Sequence, residues 1–245
     1  NGDSPRMEDM DRSNLPTLVL LPGMDGTGEL FEPFVSALKD VCDIVVVSYP
    51  CDIPLSYIEL QAIARQSLPT DRPFVLLGES FSGPIAIALT ALCLPQQVGM
   101  VLCCTFASNP RPLFKHFGFL LKCLPMNALP TGWLLPVLLG RFSTAHLRAA
   151  LRQAINQVRP EVMRSRLRSV LDVDTSAQLG QIEIQSIYLR ATDDRVVPKA
   201  ASERISQLNP KTQIIDIKAP HCLLQAAPEE AASQVIKFLR AIAPP

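Results

Sequence analysis

Residues Pro73–Leu94, PFVLLGESFSGPIAIALTALCL, decide how this chain is read. The apolar run Phe74–Leu77, bounded by Pro73 and Gly78, has the length and composition of a fully buried strand. Ile85–Leu94, dense in Ala and Leu, reads as a buried helix. Between them stands Gly78-Glu79-Ser80-Phe81-Ser82-Gly83. A serine at a sharp strand-to-helix turn is held in a strained backbone with its hydroxyl displayed at the end of a sheet. Strand and helix approach closely at such a turn, so the flanking residues must be small. Gly78, Ser82 and Gly83 meet that need, although Ser82 stands where G-x-S-x-G has its second glycine. The competing reading is an ordinary glycine-rich turn with a capping serine, and a motif this short does not choose between them.

The surroundings extend the pattern in both directions. Thr17–Leu21 is an apolar run that ends in the glycine-rich loop Pro22-Gly23-Met24-Asp25-Gly26-Thr27-Gly28. Leu30, Phe31, Phe34, Val35 and Leu38 then share one helical face. Ile44–Val47 is a β-branched run, Leu55–Leu68 a helical pattern, and Val98–Cys104 a further buried strand. This alternation predicts βαβ units, a mostly parallel central sheet with helices on both faces, and right-handed crossovers. Chemistry in such a sheet gathers at the carboxyl ends of its strands, where both glycine-rich loops fall.

From about Ala107 the alternation lapses. Residues 108–180 carry prolines and helical stretches such as Ala145–Val158 and Val162–Leu171, and read as a helical insertion. Strand patterns resume at Ile184–Leu189 and Gln213–Ile217. A last helix starts at Pro228, with Glu229 and Glu230 in its first turn. The expected organisation is a core of residues 15–107 and 181–245 carrying the insertion, preceded by a polar, flexible leader of residues 1–14.

Composition narrows the function. The 245 residues are 48% hydrophobic, with 23 basic and 23 acidic side chains. A formal net charge of zero gives no global field that favours nucleic acid. Seven cysteines form no C-x-x-C pair and no Cys/His ligand spacing, so no metal is expected and a cytoplasmic location is the simplest. No uninterrupted apolar run reaches the roughly 18 residues of a membrane span.

A serine nucleophile needs a base, and the base needs an orienting acid. Of the three histidines, His116 and His146 lie in the insertion. His221 follows the last strand, on the rim that carries Ser80, and is the candidate base. The strand ending near Arg190 is followed by Ala191-Thr192-Asp193-Asp194-Arg195-Val196-Val197-Pro198, which offers two acids. One of them could equally cap the following helix.

These segments together resemble the α/β-hydrolase superfamily from about Thr17 to the C-terminus. GESFSG resembles its nucleophile elbow, and ATDDRVVP its acid loop. In that loop the functional aspartate stands four residues before the proline, which carries the role onto Asp194 with Asp193 second. APHCLLQAAPEE resembles the histidine loop, and LLPGMDGTG the loop that supplies half of the oxyanion hole. The resemblance implies that the backbone N–H groups of Met24 and Phe81 hold the oxyanion. It also implies acyl transfer with no metal or organic cofactor, on a small-molecule ester. The two antiparallel strands that usually begin the fold are missing from the pattern, so about six parallel strands are expected.

The insertion should then act as a cap, with Phe114, Phe117 and Trp133 among the residues that could line an acyl pocket. Packing of the cap on the core is an equal alternative for them. Between Arg141 and Arg168 the insertion holds seven arginines and the single acid Glu161. Such a run reads first as a solvated helix face. It could also dock an anionic acyl carrier. Hydrolysis of a carboxylic ester leads the functional reading. An acyltransferase or thioesterase, and a catalytically silent binding protein on the same fold, remain as alternatives.

Overall fold

The computed structural model describes residues 15–38, 40–112 and 131–243. Six strands, β1 (Thr17–Leu21), β2 (Ile44–Val46), β3 (Phe74–Glu79), β4 (Gln97–Cys103), β5 (Ser186–Ala191) and β6 (Thr212–Ile217), form one sheet in the order β2-β1-β3-β4-β5-β6. Every pairing between them is parallel. The chain runs outward from β1 to β2, then crosses back to β3 on the other side of β1. The order therefore reverses between β1 and β3, the place where open α/β sheets leave a crevice for ligands.

The two-residue period of the strands sends alternate side chains to opposite faces. Leu18, Leu20, Val75 and Leu77 pack on one face with Phe34 and Leu38 of helix Glu32–Leu38 and Val235 and Leu239 of helix Pro228–Ile242. Val19, Leu21 and Leu76 pack on the other with Leu60 and Ala64 of helix Tyr57–Gln66, Ile85 and Leu89 of helix Gly83–Thr90, and Ile205 of helix Lys199–Leu208. Burial on both faces explains why β1, β3 and β4 read as unbroken apolar runs.

Between β4 and β5 the chain leaves the sheet. Its outgoing and returning ends are tied by an antiparallel bridge, Ser108 to Asp174, by Thr175 N–H on the Ala107 carbonyl at 2.7 Å and by the Asn109 amide on the Leu171 carbonyl at 3.0 Å. Beyond this neck lie helices Thr131–Leu139, Ala145–Gln157 and Pro160–Asp172. Leu179 of the short helix Ser176–Gly180 is already part of the sheet's second core. Leu135, Leu139, Leu147 and Leu151 of the excursion form a small core of their own around Cys222.

Candidate active site

The site begins with a steric constraint on one turn. Ser80 has φ 47°, a left-handed conformation that costs a non-glycine residue about 1–3 kcal/mol. The turn is tight because helix Gly83–Thr90 starts directly over β3. A Cβ on Gly78 would lie 2.8 Å from both the Ala86 methyl and the Ser82 carbonyl oxygen, and one on Gly83 would overlap Thr105. Three side chains hold this geometry. Thr105, just past β4, donates its hydroxyl to the Ser80 carbonyl. Thr105 is itself clasped by the Tyr188 hydroxyl, which donates to its carbonyl at 2.7 Å and accepts from its N–H at 2.8 Å. Tyr57 donates to the Phe81 carbonyl at 2.9 Å, and its ring stacks on that of Phe81 with centroids 4.7 Å apart.

Ser82 is fully buried and donates its hydroxyl to the carbonyl of Pro22, in the loop after β1. With that proton committed, the Tyr49 hydroxyl at 3.0 Å is the donor to Ser82. The register pairs Leu21 with Gly78, so the loops carrying Met24 and Phe81 leave the sheet side by side. Phe81 directly follows Ser80, and Met24 occupies the turn closed by Gly26 N–H on the Gly23 carbonyl at 3.1 Å.

The loops after β5 and β6 also start together, since Ala191 pairs with Ile217. Thr192 N–H on the Ile217 carbonyl at 2.9 Å and Asp193 N–H on the Ala219 carbonyl at 3.0 Å continue the contact beyond the strands. The geometry brings Ser80, His221 and Asp194 together. Ser80 Oγ lies 2.9 Å from His221 Nε2. His221 Nδ1 lies 2.9 Å from Asp194 Oδ2 and 3.1 Å from Oδ1. Asp194 Oδ1 also accepts the N–H groups of Val196 at 2.8 Å and Val197 at 2.9 Å, which fixes the carboxylate. The side chains of His221 and Asp194 are each only 7% exposed. Asp193 points elsewhere, to Arg141 at 3.1 Å and to the Thr192 hydroxyl at 3.0 Å. A carboxylate on Nδ1 keeps the proton there and leaves Nε2 as the acceptor facing Ser80.

Phe114 and Phe117 lie outside the described residues, as does the side chain of Trp133, whose backbone belongs to helix Thr131–Leu139. Among the described residues, Cys104, Asp194 and His221 bring ligand-type atoms within 4.8 Å of one another. Burial pushes the Cys104 thiol up, which disfavours the thiolate a metal would need, and Asp194 already occupies Nδ1. This set suits proton handling better than an ion.

Two residues of the site region escaped the sequence reading. Glu79 is buried and accepts from Gln225 Nε2 at 3.0 Å, which joins the Ser80 turn to the helix after His221. Burial pushes its carboxyl from 4.5 up to about 7, against the opposing bonds from Gln225 and the Gly23 N–H. A charged residue inside an apolar run was the available signal. Arg166, grouped from sequence with a solvated arginine face, is 1% exposed, which corrects that grouping. Its place in the apolar stripe Val162, Arg166, Val170 marks it as inward-facing.

The Alpha/beta hydrolase family model matches residues 18–234. The chain is 28% identical over 253 residues to the biotin biosynthesis bifunctional protein BioHC of Cellvibrio japonicus, covering 93% of this chain but 48% of that protein. It thus spans about half the length of this relative. It is 27% identical over 228 residues to a pimeloyl-[acyl-carrier protein] methyl ester esterase of Xanthomonas oryzae pv. oryzae, covering 82% of this chain and 86% of the relative. A thermophilic esterase from Thermogutta terrifontis superposes with a TM-score of 0.80 at 19% identity, over 94% of this chain and 91% of that one. That last likeness is one of fold. Among the described residues no helix is long and apolar enough to cross a membrane.

Proposed function

Since the chain belongs to the α/β-hydrolase family, whose relatives here are hydrolases, we propose that it hydrolyses carboxylic esters through an acyl-enzyme on Ser80. The observation that carries this reading is the unbroken series of hydrogen bonds from Ser80 Oγ through His221 to Asp194.

In the proposed cycle the Ser80 hydroxyl donates to His221 Nε2 and attacks the ester carbonyl as that proton transfers. Asp194 holds the Nδ1 proton in place and stabilises the imidazolium that forms. The N–H groups of Met24 and Phe81 receive the developing oxyanion, a contribution of about 2.7–4 kcal/mol per donor. His221 then gives its proton to the leaving alcohol. Water, deprotonated by the same Nε2, attacks the acyl-enzyme, and His221 returns that proton to Ser80 Oγ as the acid leaves.

The helices between Thr131 and Asp172 form the cap in this reading, because Leu135, Leu139, Leu147 and Leu151 close over Cys222, next to His221. A carrier-linked acyl ester is the substrate class favoured by the methyl ester esterase among the relatives, and the exposed cap arginines are the surface that would receive it. A cytoplasmic location belongs to the same proposal. Transfer of the acyl group to an alcohol would use the same residues.

A chain-length series of p-nitrophenyl esters tests the reading. A burst of nitrophenol equal to the enzyme concentration, followed by slower turnover, is the expected signature of an acyl-enzyme. Absence of turnover across the series would refute it. Carrier-linked esters should lose rate steeply with added salt while neutral esters do not; equal salt dependence would remove the carrier from the proposal.

A further inference from the structure

Arg166 stands on helix Pro160–Asp172 of the insertion, yet its guanidinium lies inside the loop that follows β1. Its Nη1 donates to the carbonyls of Met24 at 2.9 Å and Asp25 at 2.7 Å. Its Nη2 donates to the carbonyl of Pro50 at 2.9 Å. A buried arginine is ordinarily matched to a carboxylate. These three bonds all go instead to main-chain oxygens, and two of them are the central carbonyls of the Gly23–Gly26 turn.

The turn is cut to receive this side chain. Gly26 has φ 72°, and a Cβ there would fall 2.6 Å from Nη1 and 2.8 Å from Nη2. Gly26 N–H closes the turn onto the Gly23 carbonyl, and Tyr49 N–H binds the Gly26 carbonyl at 2.7 Å. The peptide that carries Met24 N–H is thereby fixed at its oxygen by Gly26. The next two peptides are fixed at theirs by Arg166. A second tie reinforces the docking: Arg159 N–H, at the start of the same helix, donates to the Cys51 carbonyl at 2.8 Å.

We infer that Arg166 is a positioning residue that sets the Met24 N–H for the oxyanion and so makes a full oxyanion hole depend on the docked insertion. The inference rests on the ester-hydrolase reading above. The guanidinium touches no reacting atom in this account. It acts by holding the turn and by placing a full positive charge one residue from the donor. Transition-state stabilisation of this kind is lost when donors drift from the oxyanion position.

The experiment compares wild type, Arg166→Lys and Arg166→Met with p-nitrophenyl butyrate, each normalised to sites titrated to completion with a fluorophosphonate. Lysine keeps the charge but has no planar fork for two carbonyls. The expected result is a kcat lowered about 10²-fold in Arg166→Met and less in Arg166→Lys, with KM nearly unchanged. Affinity for a phenylboronic acid, which forms a tetrahedral adduct on the serine, should fall in parallel. Titration counts only competent folded sites, so loss of soluble protein does not imitate the effect; a Met variant that fails to fold leaves the Lys variant to decide. Wild-type kcat per titrated site together with wild-type boronate affinity would overturn the inference, as would a rise in KM alone. A wild-type protein that neither turns over the ester nor reacts with the fluorophosphonate would overturn the ester-hydrolase reading itself, and Arg166's role with it.

Discussion

Ser82 donates its hydroxyl to the carbonyl of Pro22, and so bonds the turn that carries Ser80 to the loop that carries Met24. Ser82 has φ −86° and ψ −1°, a conformation open to any residue, so glycine is not demanded there. The hydroxyl fits because it has an acceptor in Pro22 and a donor in Tyr49. Restoring the common motif with Ser82→Gly should therefore destabilise the protein, by about 1–3 kcal/mol, because the buried Tyr49 hydroxyl and Pro22 carbonyl lose their partner. Urea unfolding measures it, and an unchanged or raised midpoint would count against the bond.

Ser80→Ala and His221→Ala should each lower kcat for an activated ester by at least about 10³-fold. Neither side chain belongs to the two main cores, so circular dichroism spectra should match wild type. Retained turnover in either variant would remove that residue from the mechanism.

Asp194 and Asp193 are separable by a pair of amide substitutions. In Asp194→Asn the amide oxygen keeps the Val196 and Val197 N–H groups, so the amide nitrogen faces His221 Nδ1. That forces the Nδ1 acceptor tautomer and turns an N–H toward Ser80, with an expected loss of about 10⁴-fold in kcat. Asp193→Asn loses an exposed pair with Arg141, of a kind that contributes about 0–1 kcal/mol, and should change kcat by no more than a few-fold. The reverse ranking of rates would show that Asp193 is the orienting acid.

Glu79 should imprint a pH dependence on stability. It binds its proton more tightly in the folded protein, at about 7, than at its ordinary 4.5. Between those values the folded state holds a proton that the unfolded chain has released. Stability therefore falls as pH rises through this window and levels off above it. The gap corresponds to roughly 3 kcal/mol. Asp25 and His221 are the titratable neighbours, the first pushing the carboxyl up and the second down. In Glu79→Gln the slope should vanish and the protein should be the more stable one above pH 7, since an amide there can also serve the buried Gln225 Oε1. Urea unfolding at several pH values between 4.5 and 8 measures this; parallel curves for the two proteins would contradict it.

The middle of the sheet was legible because β1, β3 and β4 are buried on both faces, so runs such as Leu18–Leu21 and Val75–Leu77 stand out without any alternation. Boundaries were less so. The last helix of the central stretch ends at Thr90, whereas its apolar run continues to Leu94, because composition does not mark where a helix stops. Ser80 and His221 could be chosen because each stands just past a strand on one rim, whereas Asp194 was set above Asp193 only by the resemblance of its loop to the family's acid loop. Glu79, Gln225, Thr105 and Arg166 could not be assigned partners, since those contacts join residues 25 to 146 positions apart and exist only once the sheet is folded. Arg166 misled for a further reason: an arginine among arginines suggests solvent, and only its register with Val162 places it inside.

Every step of the proposed cycle depends on the Ser80 oxygen as nucleophile. Intact-mass analysis after exposure to a fluorophosphonate, with peptide mapping of the adduct, tests it most directly. One adduct per chain is expected, on the peptide containing Ser80, and none in Ser80→Ala. No adduct on the folded wild-type protein, or an adduct that persists in Ser80→Ala, would contradict it.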